Sequence, residues 1–458
     1  MSKAKYRNVI MTEGPLSINL LRFALPVMMS GLLQLAFNAA DIIVVGKFAG
    51  DTALAAVTST GALVNLLVNL FTGLSMGTNV VVARALGRGD PDYVEHTVHT
   101  SVLLGVLVGL GLGAFGYVVA PMLLNVMDTP ASVIEPAALY LRVYFLGVPF
   151  SVIYNLSAAV LRGSGDTKRP MYILMMSGVL NVVLNLIFVI NFHMGVAGVA
   201  LATLLANLMS CVRVVQCLMQ EEGMLHLDLH RLHLQPQVLG QVIRIGLPAS
   251  FQAVVMALSN VVIQSSVNSF GDVVMAGAGA AGNIEGFVWV AVNAFYQACL
   301  TFTGQNLGAG KLERTDKVLA RCLGMVIATG VIFGGGTWLF GPQLLGIYTD
   351  SALAIEYGMV RMTYVGLPYF LFGVMDVLVG YMRALGWSVP PMIVSLACLC
   401  GLRILWVMFI FPLDPTLPML YLCYISSWAV ATLCHAGCLV FVRARVRKSV
   451  LAEAEQTG

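Results

Sequence analysis

This 458-residue chain is too apolar to be a water-soluble domain: 59% of its residues are hydrophobic and only 10% are charged, against about a quarter charged in soluble domains. Its mean hydropathy is +0.87 and its net charge is +3, so we expect the lipid bilayer, and no nucleic acid, as its partner. The nine cysteines are odd in number and lie mainly in apolar stretches, which argues against a disulfide framework or a zinc ribbon.

Apolar stretches of about 20 residues recur about a dozen times along the chain, and each could cross about 30 Å of hydrocarbon. Examples are Ser101 to Val119, Tyr172 to Ile190 and Cys322 to Phe340. We therefore predict an all-α membrane protein with twelve transmembrane helices. Residues 1–16 contain no short apolar core followed by a cleavage site, so the first span is expected to be its own insertion signal.

The Lys and Arg residues lie mostly in the tails and in the even-numbered connections between spans, whereas the odd-numbered connections are nearly free of them apart from Lys47. Lys and Arg that flank a span favour the cytoplasmic side of the membrane. We therefore predict a multi-pass protein of the bacterial inner (plasma) membrane with both termini cytoplasmic.

The second half of the chain repeats the first at an offset of about 220 residues. Four landmarks recur in one order: Arg22 to Pro26 as Arg244 to Pro248, Leu86 to Gly89 as Leu307 to Gly310, Tyr144 to Pro149 as Thr363 to Pro368, and Leu161 to Met171 as Met382 to Met392.

This repeat predicts two pseudosymmetric six-helix lobes with a central cleft. Six spans per copy give both copies the same orientation, as in transporters whose lobes rock about a site between them by alternating access. The predicted boundaries are an N-terminal tail at 1–14, lobes at 15–219 and 237–443, a cytoplasmic linker at 220–236 and a C-terminal tail at 444–458.

Three stretches carry a resemblance to a known family: Asn38 to Gly46, Leu161 to Met171 and Thr303 to Lys311. With the repeat, they resemble the multidrug and toxic compound extrusion (MATE) family over roughly residues 15 to 440, and look closer to its DinF-like branch than to NorM. The resemblance implies a monomeric efflux antiporter, not an enzyme, that exports organic and often cationic compounds. H+ or Na+ would be the coupling ion, with no other cofactor.

The resemblance also implies ion-coupling positions in the first repeat. Asp41, Asn181 and Thr203 match the family pattern, whereas Asn185 stands where many proton-driven members of the DinF-like branch have a second acid. A relay between two acids therefore cannot be transferred intact to this chain.

Carboxylates within spans are rare, because each costs about 2.5 to 3.5 kcal/mol at the bilayer centre. Asp41 is one of three here, and it shares a helix face with Gln34 and Asn38. Burial favours the neutral form of such an acid, so Asp41 could exchange a proton near neutral pH, or it could bind sodium. The alternative is that such polar stripes only form interhelical hydrogen bonds.

The other two acids, Glu285 and Asp376, lie in spans eight and ten, and Arg403 is the one basic residue well inside a predicted span. Arg403 offers a salt bridge to whichever acid lies nearer, which leaves the other acid for cations. The predicted cation-coupling set is Asp41, Asn181, Asn185, Thr203, Glu285 and Asp376.

Aromatic rings combined with amides suit flat cationic substrates, although ordinary packing is the simpler use of these residues. The predicted substrate-binding residues are Gln34, Asn38, Asn69, Trp289, Asn293, Tyr296 and Gln297. No metal site is predicted. The linker residues that could bind a metal, although a plain polar loop is favoured, are His226, His230, His233 and Asp228.

Two other functions compete with drug export. One is a flippase or exporter of lipid-linked saccharides from the same superfamily, which would need a basic cavity. The other is a non-transporting membrane enzyme or receptor, which would need a catalytic cluster or a domain outside the membrane. The chain has no Walker A motif, so ATP is not expected to drive it directly.

Overall fold

The computed structural model describes residues 11–126 and 131–457, and every regular element in these ranges is a helix. Within these ranges twelve helices are long and apolar enough to cross a membrane, which confirms the predicted fold class and number of spans. They are α1 Leu16–Phe48, α2 Thr52–Arg88, α3 Pro91–Asn125, α4 Val133–Gly163, α5 Lys168–Asn191, α6 Gly195–Met219, α7 Pro236–Asn268, α8 Asp272–Gly308, α9 Leu312–Leu339, α10 Ala352–Ala384, α11 Val389–Leu413 and α12 Leu417–Lys448.

Contacts divide the chain into two compact units. The first unit contains Met29–Ile243, and the second contains the chain from Arg244 onward together with the part of α1 that ends at Met28. The predicted lobe boundaries assign all of α1 to the first lobe, whereas its N-terminal part packs in the second unit. The division falls just after Pro26, which lacks the backbone N–H that an uninterrupted helix would use.

Each unit packs its third and fourth spans tightly through glycine. A Cβ at Gly109 of α3 would come within 2.6 Å of the Pro149 backbone in α4, and a Cβ at Gly330 of α9 would come within 2.7 Å of Phe370 in α10. Small residues at such contacts let helix backbones approach closely in membranes. The same device therefore occurs at corresponding places in the two repeats.

Wide π-helical turns occur in three of the described spans. In α10 the turn at Met362–Gly366 precedes Pro368 and follows Arg361. In α11 two such turns, Leu396–Gly401 and Trp406–Ile410, flank a short α-helical stretch that carries Arg403. The turn at Ile187–Asn191 ends α5. Such turns are frequent at functional sites.

The segment that joins the two repeats docks against α3. Leu225 and Leu227 are buried in a hydrophobic cluster with residues of α3. His233 lies 2.7 Å from His96, measured from Nε2 to Nδ1, and its ring stacks on His99. The structure therefore replaces the predicted plain polar loop with a docked segment.

The possible metal ligands of the linker do not form a cluster. His233 contacts α3, whereas His226 bonds to the Glu221 carbonyl and His230 to Asp228. Within the described residues, no group of three side chains is placed to hold a metal ion.

Candidate functional site

A close contact between α1 and α5 forms the polar cluster of the first unit. A Cβ at Gly178 would overlap the Phe37 ring, so glycine lets the two helices meet at this point. Asp41 follows Phe37 by one helical turn, while Asn181 and Asn185 follow Gly178 along one face of α5. The helix contact therefore places both amides against the carboxylate.

Asp41 accepts hydrogen bonds from amide side chains of α5. Asn185 donates through Nδ2 to Asp41 Oδ1. With the Asn181 amide turned so that its nitrogen faces the acid, Asn181 donates to Asp41 Oδ1 at 2.7 Å and Oδ2 at 3.3 Å. This orientation matches donors with acceptors, and amide orientation is assigned from such matching.

Thr203 of α6 completes the cluster beside Asn181, with 3.3 Å between its Oγ1 and the Asn181 side chain. Its hydroxyl donates to the Val199 carbonyl at 3.1 Å. The structure thus gathers the four predicted first-repeat residues Asp41, Asn181, Asn185 and Thr203 from three helices.

The partners of Asp41 are neutral. Asn185 is fully buried, Asn181 is nearly so, and Asp41 itself is half-buried. Tyr140 of α4 lies close enough to interact electrostatically with Asp41 and stacks on Tyr144. In the part of the chain that the structure describes, no Lys, Arg or His forms an ion pair with Asp41.

The predicted first-repeat substrate residues lie outside this cluster. Asn38 and Gln34 are exposed on α1, one and two turns before Asp41 respectively, and Asn69 is half-buried on α2. Among the described contacts, none of the three hydrogen-bonds to the Asp41 cluster. They line surfaces of α1 and α2 and do not bind the acid.

Glu285 of α8 has a basic partner in the second unit. Arg361 of α10 donates to both carboxylate oxygens, from Nε and from Nη2, at 2.9 Å each. Both side chains are largely buried, and the guanidinium also lies over the Tyr421 ring. Both oxygens of Glu285, which the sequence predicts as a cation-coupling residue, are therefore used in a buried bidentate ion pair.

The structure does not show the salt bridge offered to Arg403: among the described residues, Arg403 bonds to Ser427 and Asn260, and Glu285 pairs with Arg361. Arg361 is not among the residues that the sequence predicts for the site. One signal could have drawn attention to it: Arg142 and Arg361 stand at the same distance before the repeated prolines Pro149 and Pro368.

Asp376 lies in a second polar cluster, built on α7, α8 and α10. Asn293 hydrogen-bonds to its carboxylate, and the Arg383 guanidinium is close enough to act on it electrostatically. Arg383 donates from Nη1 to Tyr296 Oη and from Nη2 to Gln252 Oε1, at 2.8 Å each. Arg383 lies next to Ala384, the last residue of α10, but its side chain is buried.

The predicted second-repeat substrate residues separate by burial. Trp289 is exposed and Gln297 is half-buried on α8. Tyr296 is buried with its hydroxyl bonded to Arg383, and Asn293 binds Asp376. Tyr296 and Asn293 therefore contact the charged cluster, and the substrate-binding role of all four residues stays a prediction.

A family model matches both halves of the sequence. The MatE model covers residues 26–187 and again residues 248–408. The chain belongs to the MatE family. The two matches begin at Pro26 and Pro248, the repeated prolines of α1 and α7, as expected for a duplicated MATE chain.

Relatives of this MATE protein carry names of drug-resistance proteins. The probable multidrug resistance protein YpnP of Bacillus subtilis is 27% identical over 392 residues, which cover 86% of this chain and 88% of the relative. The probable multidrug resistance protein NorM of Thermotoga maritima is 27% identical over 390 residues, with 82% of each chain covered.

A solved structure shares the fold. It is described as the outward-facing conformation of a multidrug resistance MATE family transporter of the MOP superfamily, and it matches with a TM-score of 0.88 at 21% identity. The match covers 98% of this chain and 100% of that chain. Fold and family together make this chain a multi-pass membrane transporter, not an enzyme.

Proposed function

We propose that this MATE protein is a secondary active antiporter, which exports organic and often cationic compounds in exchange for H+ or Na+ by alternating access. Asp41 is the coupling carboxylate in this proposal. The observation that carries it is the contrast in partners: amides surround Asp41, whereas Arg361 binds Glu285 and Arg383 lies near Asp376. A carboxylate without a fixed counter-charge can accept a mobile cation.

The geometry around Asp41 suits either coupling ion. The carboxylate can take a proton because burial disfavours its charged form. For sodium, the Asp41 carboxylate, the Asn181 amide and Thr203 Oγ1 bring oxygen atoms into one cluster. Asn185 Oδ1 is buried without a hydrogen-bond partner among the described atoms, and an unpaired buried oxygen of this kind is consistent with a site that binds a cation.

One imported charge is enough to drive useful export. A membrane potential of about 100 mV supplies about 2.3 kcal/mol per elementary charge, which corresponds to about a 50-fold concentration gradient. Cation and drug need only compete for one state of the protein, or favour different states, for the two flows to be coupled.

The test imposes H+ and Na+ gradients separately on proteoliposomes that contain the full chain, with a cationic dye as the transported compound. Export driven by one ion alone identifies that ion. Dye flux that follows its own gradient and ignores both ions would contradict antiport. Liposomes without protein and a dissipated gradient are the controls.

The proposed location is the bacterial inner membrane, with cytoplasmic termini, a parallel repeat and a monomeric state. The asymmetry of Lys and Arg between connections supports the orientation. A reporter at Gly458 should be cytoplasmic and one inserted near Asp128 external, although both sites lie outside the described residues. A periplasmic C-terminus would overturn the topology.

A further inference from the structure

We propose that Arg403 forms an anion-recognition site in the second unit, which takes the carboxylate or phosphate of an organic anion or zwitterion. The site adds a class of ligand with a negative group to the cationic compounds discussed above. Binding of the anion does not depend on ion coupling; only its export rests on the proposed antiport.

Neutral groups from two other helices hold the Arg403 guanidinium. Nε donates to Ser427 Oγ of α12 at 3.0 Å, and Nη1 donates to Asn260 Oδ1 of α7 at 3.2 Å. The Tyr424 ring of α12 covers one face of the guanidinium, 4.3 Å from Cζ to the ring centroid. The Arg403 side chain is only 4% exposed.

Among the side chains that the structure describes, no acid compensates this buried charge. Both Glu285 oxygens bind Arg361, and Asp376 lies with Asn293 and Arg383. A buried charge without a counter-ion is unfavourable. A bound anion would remove that cost.

The guanidinium also keeps donors for a ligand. Arginine has five N–H donors in a planar fork that matches the two oxygens of a carboxylate or phosphate. The described bonds of Arg403 use Nε and Nη1. The Nη2 edge therefore has donors available for an anion.

A polar stripe on α7 gives an approach to Arg403. Asn260, Gln264 and Asn268 follow one another at intervals of four residues, and all three are exposed. Gln264 donates to Asn268 Oδ1 at 2.9 Å, and α7 ends at Asn268. Polar side chains in spans border protein or water-filled surfaces rather than lipid. The stripe thus connects the end of α7 with the Arg403 partner Asn260.

The backbone of α11 also favours a function beyond helix packing. Arg403 lies in the short α-helical stretch Leu402–Leu405, between two π-helical turns. Turns of this kind are rare in proteins, and those that occur often lie at functional sites.

The test compares two dyes with one ring framework and opposite charge. The purified full chain, in nanodiscs of phosphatidylcholine, is titrated with fluorescein (anionic) and rhodamine 123 (cationic), and binding is followed by fluorescence anisotropy. Arg403→Gln should weaken fluorescein binding by about tenfold or more, because a charge-assisted contact is lost. Rhodamine 123 affinity should stay within about twofold.

Two further variants separate recognition from structure. Arg403→Lys keeps the charge but not the planar fork, so it should bind fluorescein with intermediate affinity. If Arg403→Gln does not give monodisperse protein, Arg403→Lys is compared with the native chain instead. Arg213→Gln changes an exposed arginine of α6 in the other unit and should leave both affinities unchanged.

The proposal fails if the native chain binds no fluorescein saturably, if Arg403→Gln leaves fluorescein affinity unchanged, or if both dyes weaken equally, as a purely structural role requires. The same titration in nanodiscs of phosphatidylglycerol identifies the source of the anion. If this lipid weakens fluorescein binding to the native chain but not to Arg403→Gln, a lipid phosphate binds Arg403. Gradient-driven export and fluorescein binding are separate measurements, so failure of the proposed antiport and failure of this site are distinguishable.

Discussion

The two repeats surround their intramembrane acids with different partners. In the first unit, Asp41 accepts hydrogen bonds from Asn181 and Asn185, which carry no charge. In the second unit, Glu285 is held by Arg361 and Asp376 lies near Arg383. A carboxylate in a span therefore does not mark an ion-coupling residue by its presence alone. Its counter-charge decides whether it can respond to a mobile cation.

Removing the carboxylate of the first unit should have the largest effect on transport. Asp41→Asn is expected to reduce gradient-driven export to the level of protein-free liposomes, because Asn keeps the volume but cannot exchange a proton or supply a negative charge to sodium. Folding and drug binding should remain. Drug affinity measured between about pH 5.5 and 8.5 should lose any pH dependence, because the variant lacks the carboxylate that would exchange the proton.

The opposite result would make Asp41 a structural residue. An amide hydrogen-bonds without the desolvation cost of a charge, so a purely structural Asp41 should be replaced by Asn with little loss. Export that survives in Asp41→Asn would move ion coupling to the second unit.

Breaking the ion pair of the second unit should reduce stability. Glu285→Gln leaves the Arg361 charge buried without its counter-ion, and loss of one partner of a buried pair costs about 3 to 5 kcal/mol. Thermal unfolding in detergent should show this loss for Glu285→Gln. The double variant Glu285→Gln with Arg361→Met should recover most of it.

The control variant for the Glu285–Arg361 pair is Arg213→Gln. It removes an exposed arginine and should not change the unfolding temperature. Equal unfolding temperatures for Glu285→Gln and the native chain would show that the pair does not hold α8 to α10. Glu285 would then return as a candidate for ion coupling.

Widening the α1–α5 contact should weaken coupling without removing the acid. A Cβ at Gly178 would overlap the Phe37 ring, so Gly178→Ala must displace the ring or move Asn181 and Asn185 away from Asp41. We expect export to fall by about tenfold, since a shift of about 1 Å can cost up to about 100-fold. Export rates in proteoliposomes measure the effect.

A double variant tests this cause. Gly178→Ala with Phe37→Ala removes the overlap and should restore part of the export rate. Gly111→Ala on α3 is the control, because a Cβ there would have no neighbour within 4 Å. Equal losses in Gly178→Ala and Gly111→Ala would contradict a positioning role for Gly178.

Neutralising the second-unit acid should have the smallest effect. Asp376→Asn is expected to leave gradient-driven export within about twofold of the native rate, because Arg383 already acts on that carboxylate and Asn can still bond to Asn293. The assay is the one used for Asp41→Asn. A loss as large as that of Asp41→Asn would abolish the proposed difference between the units.

The first-unit cluster could be predicted from sequence for two reasons. Family resemblance selected Asp41, Asn181 and Thr203, and the interval of four residues put Asn181 and Asn185 on one face of α5. The roles of Gly178 and Phe37 could not be predicted, because a glycine in an apolar span looks the same whether or not a ring packs on it.

Sequence by itself determined the membrane setting, the twelve spans, the repeat and the residues that share a helix face, because these depend on local hydropathy and on the period of one helix. Only the tertiary structure decided the partners of the charges. Arg361 and Glu285 are 76 residues apart, and Arg403 bonds to Asn260 and Ser427 from two other helices. Periodicity fixes the face of a helix but not the neighbour that this face meets, so charge pairing had to come from packing.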